Sequence, residues 1–280
     1  MQNDITIIFV SFFSNNILFK YVKKLNKFRI IIVDNSRNEL LRKKFKKFKN
    51  VKIILNKKNL GFGSSVNVAI KNIRTKFALH LDLDTSISIK NINKLIKFAK
   101  NHSNFGVLTG KIRGFDYKHN QFLKKNIFKN CDQMKMVDGC LMLFNLKFFK
   151  KKIFDENFFL YFEETDLFKR CLNKKIQILK LNTVNFSHKG RSSSDNKYKR
   201  KIEINRNWHY MWSKFYYNTK HYGYLYALKE SLKNLISSFL KGYCFIFLNF
   251  NKREIYKARF QGCLNAILLK KSLFRPDINF

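Results

Sequence analysis

The first hundred residues alternate short, unbroken apolar runs with amphipathic stretches. Ile5–Val10, Arg29–Val33, Val51–Leu55 and Phe77–Leu81 are runs of the kind expected of strands buried on both faces. Between them, Asn15–Lys27 has a helical pattern, and Arg37–Phe48 reads as a basic helix. Gly61–Ile73 reads as a loop turning into a helix, and Ile89–Asn101 as a further helix. This rhythm predicts an α/β fold with a mostly parallel, doubly wound sheet flanked by helices. Ligands in such sheets bind beyond the carboxyl ends of the strands. Ser11, Asp34 and the pair Asp82 and Asp84 fall there, after the first, second and fourth runs.

The second half is less regular. Met134–Phe144 reads as a strand interrupted at Gly139, and Phe158–Phe162 leads into a helix over Glu163–Leu172. Ile176–Leu181 and Val184–Ser187 read as two short strands ending at His188. From about Glu203 the pattern is helical, aromatic and basic. The expected organisation is a catalytic domain over residues 1–200 and a helical extension over 201–280.

Composition changes this picture in one respect. The chain of 280 residues carries 57 Lys and Arg against 18 Asp and Glu, a net charge of +39. Such a charge suits a polyanionic partner. The basic residues are spread along the whole chain, and Lys, Asn, Ile and Phe are abundant together, so compositional bias accounts for part of it. With 31 Phe and 12 Tyr a real core is available, which excludes a disordered basic tail. A nucleic-acid-binding protein would concentrate its basic residues on one element. A nucleotidyltransferase would carry a Gly-rich, basic loop after the first strand, where this chain has Ser11-Phe12-Phe13-Ser14. Five cysteines, at 131, 140, 171, 244 and 263, form no C-x-x-C pair, which suits a reducing cytoplasm. No signal peptide is expected. The nearest candidate for a spanning helix, Gly242–Phe250, is too short to cross a bilayer.

In so basic a chain the acids are informative. Seven of 18 fall at Asp82, Asp84, Asp155, Glu156, Glu163, Glu164 and Asp166, within 15 positions where an even spread would put about one. Clustered carboxylates need a cation, either a divalent metal or neighbouring lysines. Asp82 and Asp84 sit at i and i+2 after a strand and can share one hard cation, Mg or Mn. His188 ends another strand and would suit a third ligand, although a plain core or surface histidine fits its position equally. His102, His119 and His221 have no comparable setting. Asp34 could bond a base or ribose, or cap the next helix. The loop Asn59-Leu60-Gly61-Phe62-Gly63 before a helix could approach an anion, or be a plain capped loop. Glu163, Glu164 and Asp166 open a helix, as caps or as a general base.

These motifs, in this order, resemble the inverting family 2 glycosyltransferases of GT-A fold, in particular the rhamnosyltransferase-like branch. The resemblance covers roughly residues 4–220. Ile31-Ile32-Val33-Asp34-Asn35-Ser36 is similar to the family's nucleotide-binding strand end. Asn59-Leu60-Gly61-Phe62-Gly63, with Asn67 later, is similar to N-x-G-F-G…N. Leu81-Asp82-Leu83-Asp84-Thr85 is similar to its D-x-D. Phe154-Asp155-Glu156, followed by Phe158 to Leu167, is similar to its F-D-E-x-F-F-x-Y-x-E-D-x-D-L segment. Arg206-Asn207 and Lys214 resemble a further basic motif.

The resemblance implies a nucleoside-diphosphate sugar donor, dTDP- or UDP-linked, and a hydroxyl acceptor on a glycan or lipid-linked sugar in cell-surface polysaccharide synthesis. It implies Asp34 on the donor's pyrimidine, Asp84 with Asp82 on the metal, His188 completing the metal site, and Glu164 as base. The family usually has Asp where this chain has Glu164, which lengthens the reach by about 1.5 Å and keeps Glu163 and Asp166 as alternatives. Ser11, Asn59, Gly61 and Gly63 would line the donor. The aromatic and basic residues from Trp208 to Tyr226 suit either an anionic membrane interface on the inner face of the cell membrane or ordinary packing. No nucleic-acid partner is expected.

Overall fold

The computed structural model describes residues 4–113, 121–190, 199–245 and 249–275. His119 and part of the run Gly242–Phe250 lie outside them. The chain divides into two compact units, residues 1–154 with 164–194, and residues 155–163 with 195–280.

The first unit is built on one sheet. Its strands are β1 (Ile5–Ser11), β2 (Arg29–Asp34), β3 (Val51–Leu55), β4 (Phe77–Leu81), β5 (Thr85–Ile87), β6 (Val107–Ile112), β7 (Gln121–Phe128), β8 (Cys131–Met136), β9 (Leu141–Asn145) and β10 (Ile178–His188). Their order is β3-β2-β1-β4-β9-β6-β10-β8-β7, with β5 paired to β10. The first four strands are parallel, as the βα rhythm requires, and so are β6 and β10. Strand β9 runs antiparallel between β4 and β6.

Period-2 alternation explains the continuous apolar runs. Ile5, Ile7 and Phe9 of β1 face one core with Ile30 and Ile32 of β2. That core is closed by α1 (Asn15–Lys24), α2 (Leu40–Phe45) and α4 (Ile89–Asn101) through Leu18, Val22, Leu41, Phe45, Ile92 and Leu95. Ile8, Ile31 and Val33 face the other side, against Val66 and Ile70 of α3 (Phe62–Lys71) and Leu167 and Phe168 of α5 (Glu163–Asn173). The structure therefore has the mostly parallel, helix-flanked sheet expected of the sequence.

Three details differ from the sequence reading. The run Met134–Phe144 is two strands, β8 and β9, joined by a turn at residues 137–140. The two short strands before His188 are one strand, β10. Its pairing with β6 shifts register between Lys180 and Asn185, where the polar Asn182-Thr183 sits. Strands β5, β6 and β7 have no counterpart in the pattern.

The second unit is helical: α6 (Lys199–Tyr222), α7 (Tyr224–Phe239), a π-helical turn over Leu240–Cys244, and α8 (Phe250–Ile267). Its core gathers Trp208, Trp212, Phe215, Ala227, Ala258 and Ala266. A side chain at Gly262 would meet the Trp208 carbonyl at 2.2 Å, so glycine lets the two helices touch. Asp155 accepts bonds from Lys220 Nζ at 2.7 Å and Tyr216 Oη at 3.0 Å within this unit. Burial pushes its carboxyl up, but these bonds outweigh burial and hold it below the ordinary carboxylate range.

Candidate active site

Strand β4 ends at Leu81 and the backbone turns at Asp82. The Asp82 amide donates to Cys140 O at 3.0 Å, and the Thr85 amide closes the turn onto Asp82 O at 3.0 Å. The chain then enters β5, which pairs antiparallel with the end of β10 and sets Thr85 opposite His188. The Lys189 amide donates to Asp84 O at 3.1 Å, tying the two segments together. Sheet register thus delivers His188 to the two aspartates. His188 Nε2 donates to Asp84 Oδ1 at 2.9 Å and lies 3.8 Å from Asp82 Oδ2. One ligand atom from each of the three lies within 4.8 Å of the others. The bond to Asp84 raises the His188 pKa above its ordinary value against the effect of burial, helped by the charges of Asp84, Asp82 and Asp138.

Two carboxylate oxygens and an imidazole nitrogen are a donor set suited to a hard divalent cation such as Mn or Mg. Asp84 is nearly buried, at 6% side-chain exposure, and Asp82 is open at 38%, which gives one fixed and one accessible ligand. The residues present therefore fit a metal.

Two supports were not legible as such. His80, on β4 two residues before Asp82 and so on the same face, is buried and donates from Nε2 to Asp82 Oδ1 at 3.0 Å. The i, i+2 spacing alone could have found it. Tyr21 and Lys24 of α1 grip β5: the Tyr21 hydroxyl donates to Thr85 O, and Lys24 Nζ to Ile87 O at 2.8 Å. Burial, with Asp84 and Asp82 nearby, pushes the Tyr21 hydroxyl up to about 12, so it stays a donor.

The turn at residues 137–140 joins the aspartates to the proposed base. Its Cys140 carbonyl receives the Asp82 amide and the Thr85 hydroxyl, the latter at 3.2 Å. Its Gly139 lies against Glu164, whose Oε1 would sit 3.4 Å from a side chain added there. Asp166, two residues further along α5, is fully buried and accepts from Arg170 Nε at 2.7 Å. Glu163 is buried and belongs to the helical unit.

The donor-side candidates are brought to neighbouring strand ends. Ser11 pairs with Asp34 across β1 and β2. Ser11 Oγ is buried with no protein hydrogen-bond partner among the described residues. Asp34 is buried and shapes the turn after β2. Its carboxylate accepts from the Ser36 and Asn38 amides, both at 3.1 Å, and from Ser36 Oγ at 2.9 Å. Asn35 Oδ1 receives Asn56 Nδ2, the Leu60 amide and Ser65 Oγ, fixing the glycine loop beside the strand end. Asn59 Oδ1 accepts the Gly61 amide at 2.9 Å. Gly61 caps α3 at φ 81°, ψ −177°, a conformation other residues reach only with strain. Gly63 is buried in the first turn of α3. Asn67 is structural: it accepts the Ile153 and Phe154 amides at 2.9 and 3.0 Å and donates to Phe154 O at 2.9 Å.

Comparison with known proteins identifies the class. The model of glycosyl transferase family 2 matches residues 14–167. The chain belongs to that family. An uncharacterized glycosyltransferase of Methanocaldococcus jannaschii is 26% identical over 155 residues, which cover 51% of this chain and 53% of the relative. The match thus spans about half the length of that curated relative. Among solved structures, the mannosyltransferase PcManGT of Pyrobaculum calidifontis, in complex with GDP-Man and Mn2+, superposes with a TM-score of 0.57 at 10% identity, covering 97% of this chain and 89% of that one. GalNAc-T7 with UDP, GalNAc and Mn2+ gives 0.55 at 12% identity, covering 82% and 55%. Residues 1–349 of Staphylococcus aureus TarS give 0.51 at 13% identity, covering 94% and 81%. At such identities the likeness is one of fold.

Proposed function

We propose that this protein transfers a sugar from a nucleoside-diphosphate donor, UDP- or dTDP-linked, to a hydroxyl of a glycan or lipid-linked acceptor, with inversion at the anomeric carbon. The rhamnosyltransferase-like branch and cell-surface polysaccharide synthesis are part of the reading. So are a cytoplasmic location on the inner face of the membrane and a catalytic domain over residues 1–200. The observation that carries it is the convergence of Asp82, Asp84 and His188, with Glu164 against the same turn.

Asp84, Asp82 and His188 would hold Mn or Mg. A cation there would supply positive charge to offset the charge that builds on the leaving diphosphate. His80 orients the Asp82 carboxylate by its bond to Oδ1. Ser11 Oγ and the loop at Asn59, Gly61 and Gly63 line the donor's side, with Asp34 at the base. Glu164 accepts the proton of the acceptor hydroxyl as that oxygen attacks, and a single displacement inverts the centre. Mn2+-bound relatives of like fold support the metal, and the PcManGT and GalNAc-T7 complexes support the donor class. Glu164→Gln keeps the shape and removes the basic oxygen. It should abolish transfer while donor binding, followed by calorimetry, stays within about twofold. Full activity in that variant would remove Glu164 from the role.

A further inference from the structure

Helix α7 leaves much of its apolar surface exposed. The residues it buries fully are small, Ala227, Ser231 and Ser238, with Leu228 half-buried against the helical core. Four of its large apolar residues point outward. Leu225, Leu232, Ile236 and Phe239 are 79, 51, 52 and 43% exposed, and Tyr243 in the π-helical turn is 40% exposed. Successive spacings of 7, 4, 3 and 4 residues keep these five on one stripe, since such positions share a helix face. A continuous exposed apolar stripe marks an interaction surface. Lys229, Lys233 and Lys241 line one shallow groove with Leu232, Ile236 and Leu240.

We propose that α7 and the turn after it are the surface by which this protein lies on an anionic lipid bilayer. The inference rests on the membrane-side location proposed above and gives it a specific face. Of the aromatic residues that first suggested a membrane contact, Trp208, Trp212 and Phe215 are buried in the helical core, whereas Tyr210, Tyr222, Tyr224 and Tyr226 are exposed. Charge selects the occupant. Residues 199–275 hold 16 Lys and Arg against three Glu, so a second copy would bring like charge, whereas anionic headgroups are complementary. Lysine stems can lie along the apolar stripe while their ammonium groups reach the headgroups. The mode is interfacial: among the described residues no helix is long and apolar enough to cross a membrane.

The test is co-sedimentation of the full chain with phosphatidylcholine vesicles, with and without 30% phosphatidylglycerol, at low and at high salt. Binding is expected to the anionic vesicles, weakening as salt rises. Leu232→Glu/Ile236→Glu should lower binding at least tenfold. Lys229→Gln/Lys233→Gln should lower it on the order of tenfold at low salt. All four positions are exposed, so an unchanged circular dichroism melt is expected. Wild-type chain that stays in the supernatant at low salt overturns the inference, and so does unchanged binding in the Glu variant. Concentration-dependent self-association that the Glu variant abolishes, without vesicle binding, would assign the stripe to a second copy and also overturn it. Nucleoside diphosphate release is measured in parallel without vesicles. Its failure, with vesicle binding intact, counts against the transfer reading and leaves this surface standing.

Discussion

Asn67→Ala isolates a residue of the glycine-loop signature that the geometry gives a purely architectural task. The side chain is buried on α3 and makes three bonds to the backbone of Ile153 and Phe154. Truncation leaves two amides and one carbonyl to find other partners in a dry setting. Each such loss costs about 1–3 kcal/mol. Partial relaxation and water entry lower the sum, so a loss of about 3–5 kcal/mol is expected. That is a large share of the roughly 5–15 kcal/mol of a typical domain. Urea unfolding followed by far-UV circular dichroism reads the change. Both tryptophans, Trp208 and Trp212, lie in the helical unit, so their fluorescence follows that unit separately. The early transition of the variant should appear in the dichroism of the sheet unit. A loss below about 1 kcal/mol would refute the architectural reading of these three bonds.

Other expectations follow from single contacts. Tyr21→Phe removes the bond to the Thr85 carbonyl and loosens β5, which should weaken Mn2+ binding about fivefold, equivalent to about 1 kcal/mol, with the fold intact. Mn2+ titration by electron paramagnetic resonance checks this, and unchanged affinity removes Tyr21 from positioning the site. His209 is buried in the helical unit, bonded to the Phe274 carbonyl and the Ser272 hydroxyl, and burial pushes its pKa down to about 3. Below its unfolded value of about 6.5 the unfolded chain takes the proton first, so stability falls as pH drops from 7 toward 3. By pH 5 the loss is about 2 kcal/mol. Tryptophan-monitored unfolding at pH 7 and pH 5 should show it, and His209→Gln should flatten the dependence.

Much of the site was readable because strand ends carry their chemistry in sequence order. Asp34, Asp82, Asp84 and His188 each follow an apolar run, and the sheet brings the last three together. What the pattern missed has physical causes. The run Met134–Phe144 is apolar on both sides of Gly139, so a break there looks like a continued strand. Yet that break places Cys140 under Asp82 and Gly139 against Glu164. The polar pair Asn182-Thr183 reads as a strand break, but Asn182 is held by Asp132 Oδ2 and the Asn130 carbonyl, and the strand carries on through an irregularity. Strand β6 holds Thr109, Gly110 and Lys111 among its six residues, and β7 is exposed and lysine-bearing, so neither shows a clean period. The tie of Asp155 to Lys220 and Tyr216 needs contacts more than sixty residues apart.

In the proposed reaction Asp82, Asp84 and His188 hold a divalent cation that serves sugar transfer. The most direct measurement is nucleoside diphosphate release from UDP- and dTDP-sugars, with Mn2+ or Mg2+ and with chelator, by the wild-type chain and by Asp84→Asn. Release should need the metal and fall at least a hundredfold in Asp84→Asn, equivalent to about 2.7 kcal/mol of lost transition-state stabilisation. Turnover that persists in chelator, or that Asp84→Asn leaves unchanged, would contradict this role for the cation.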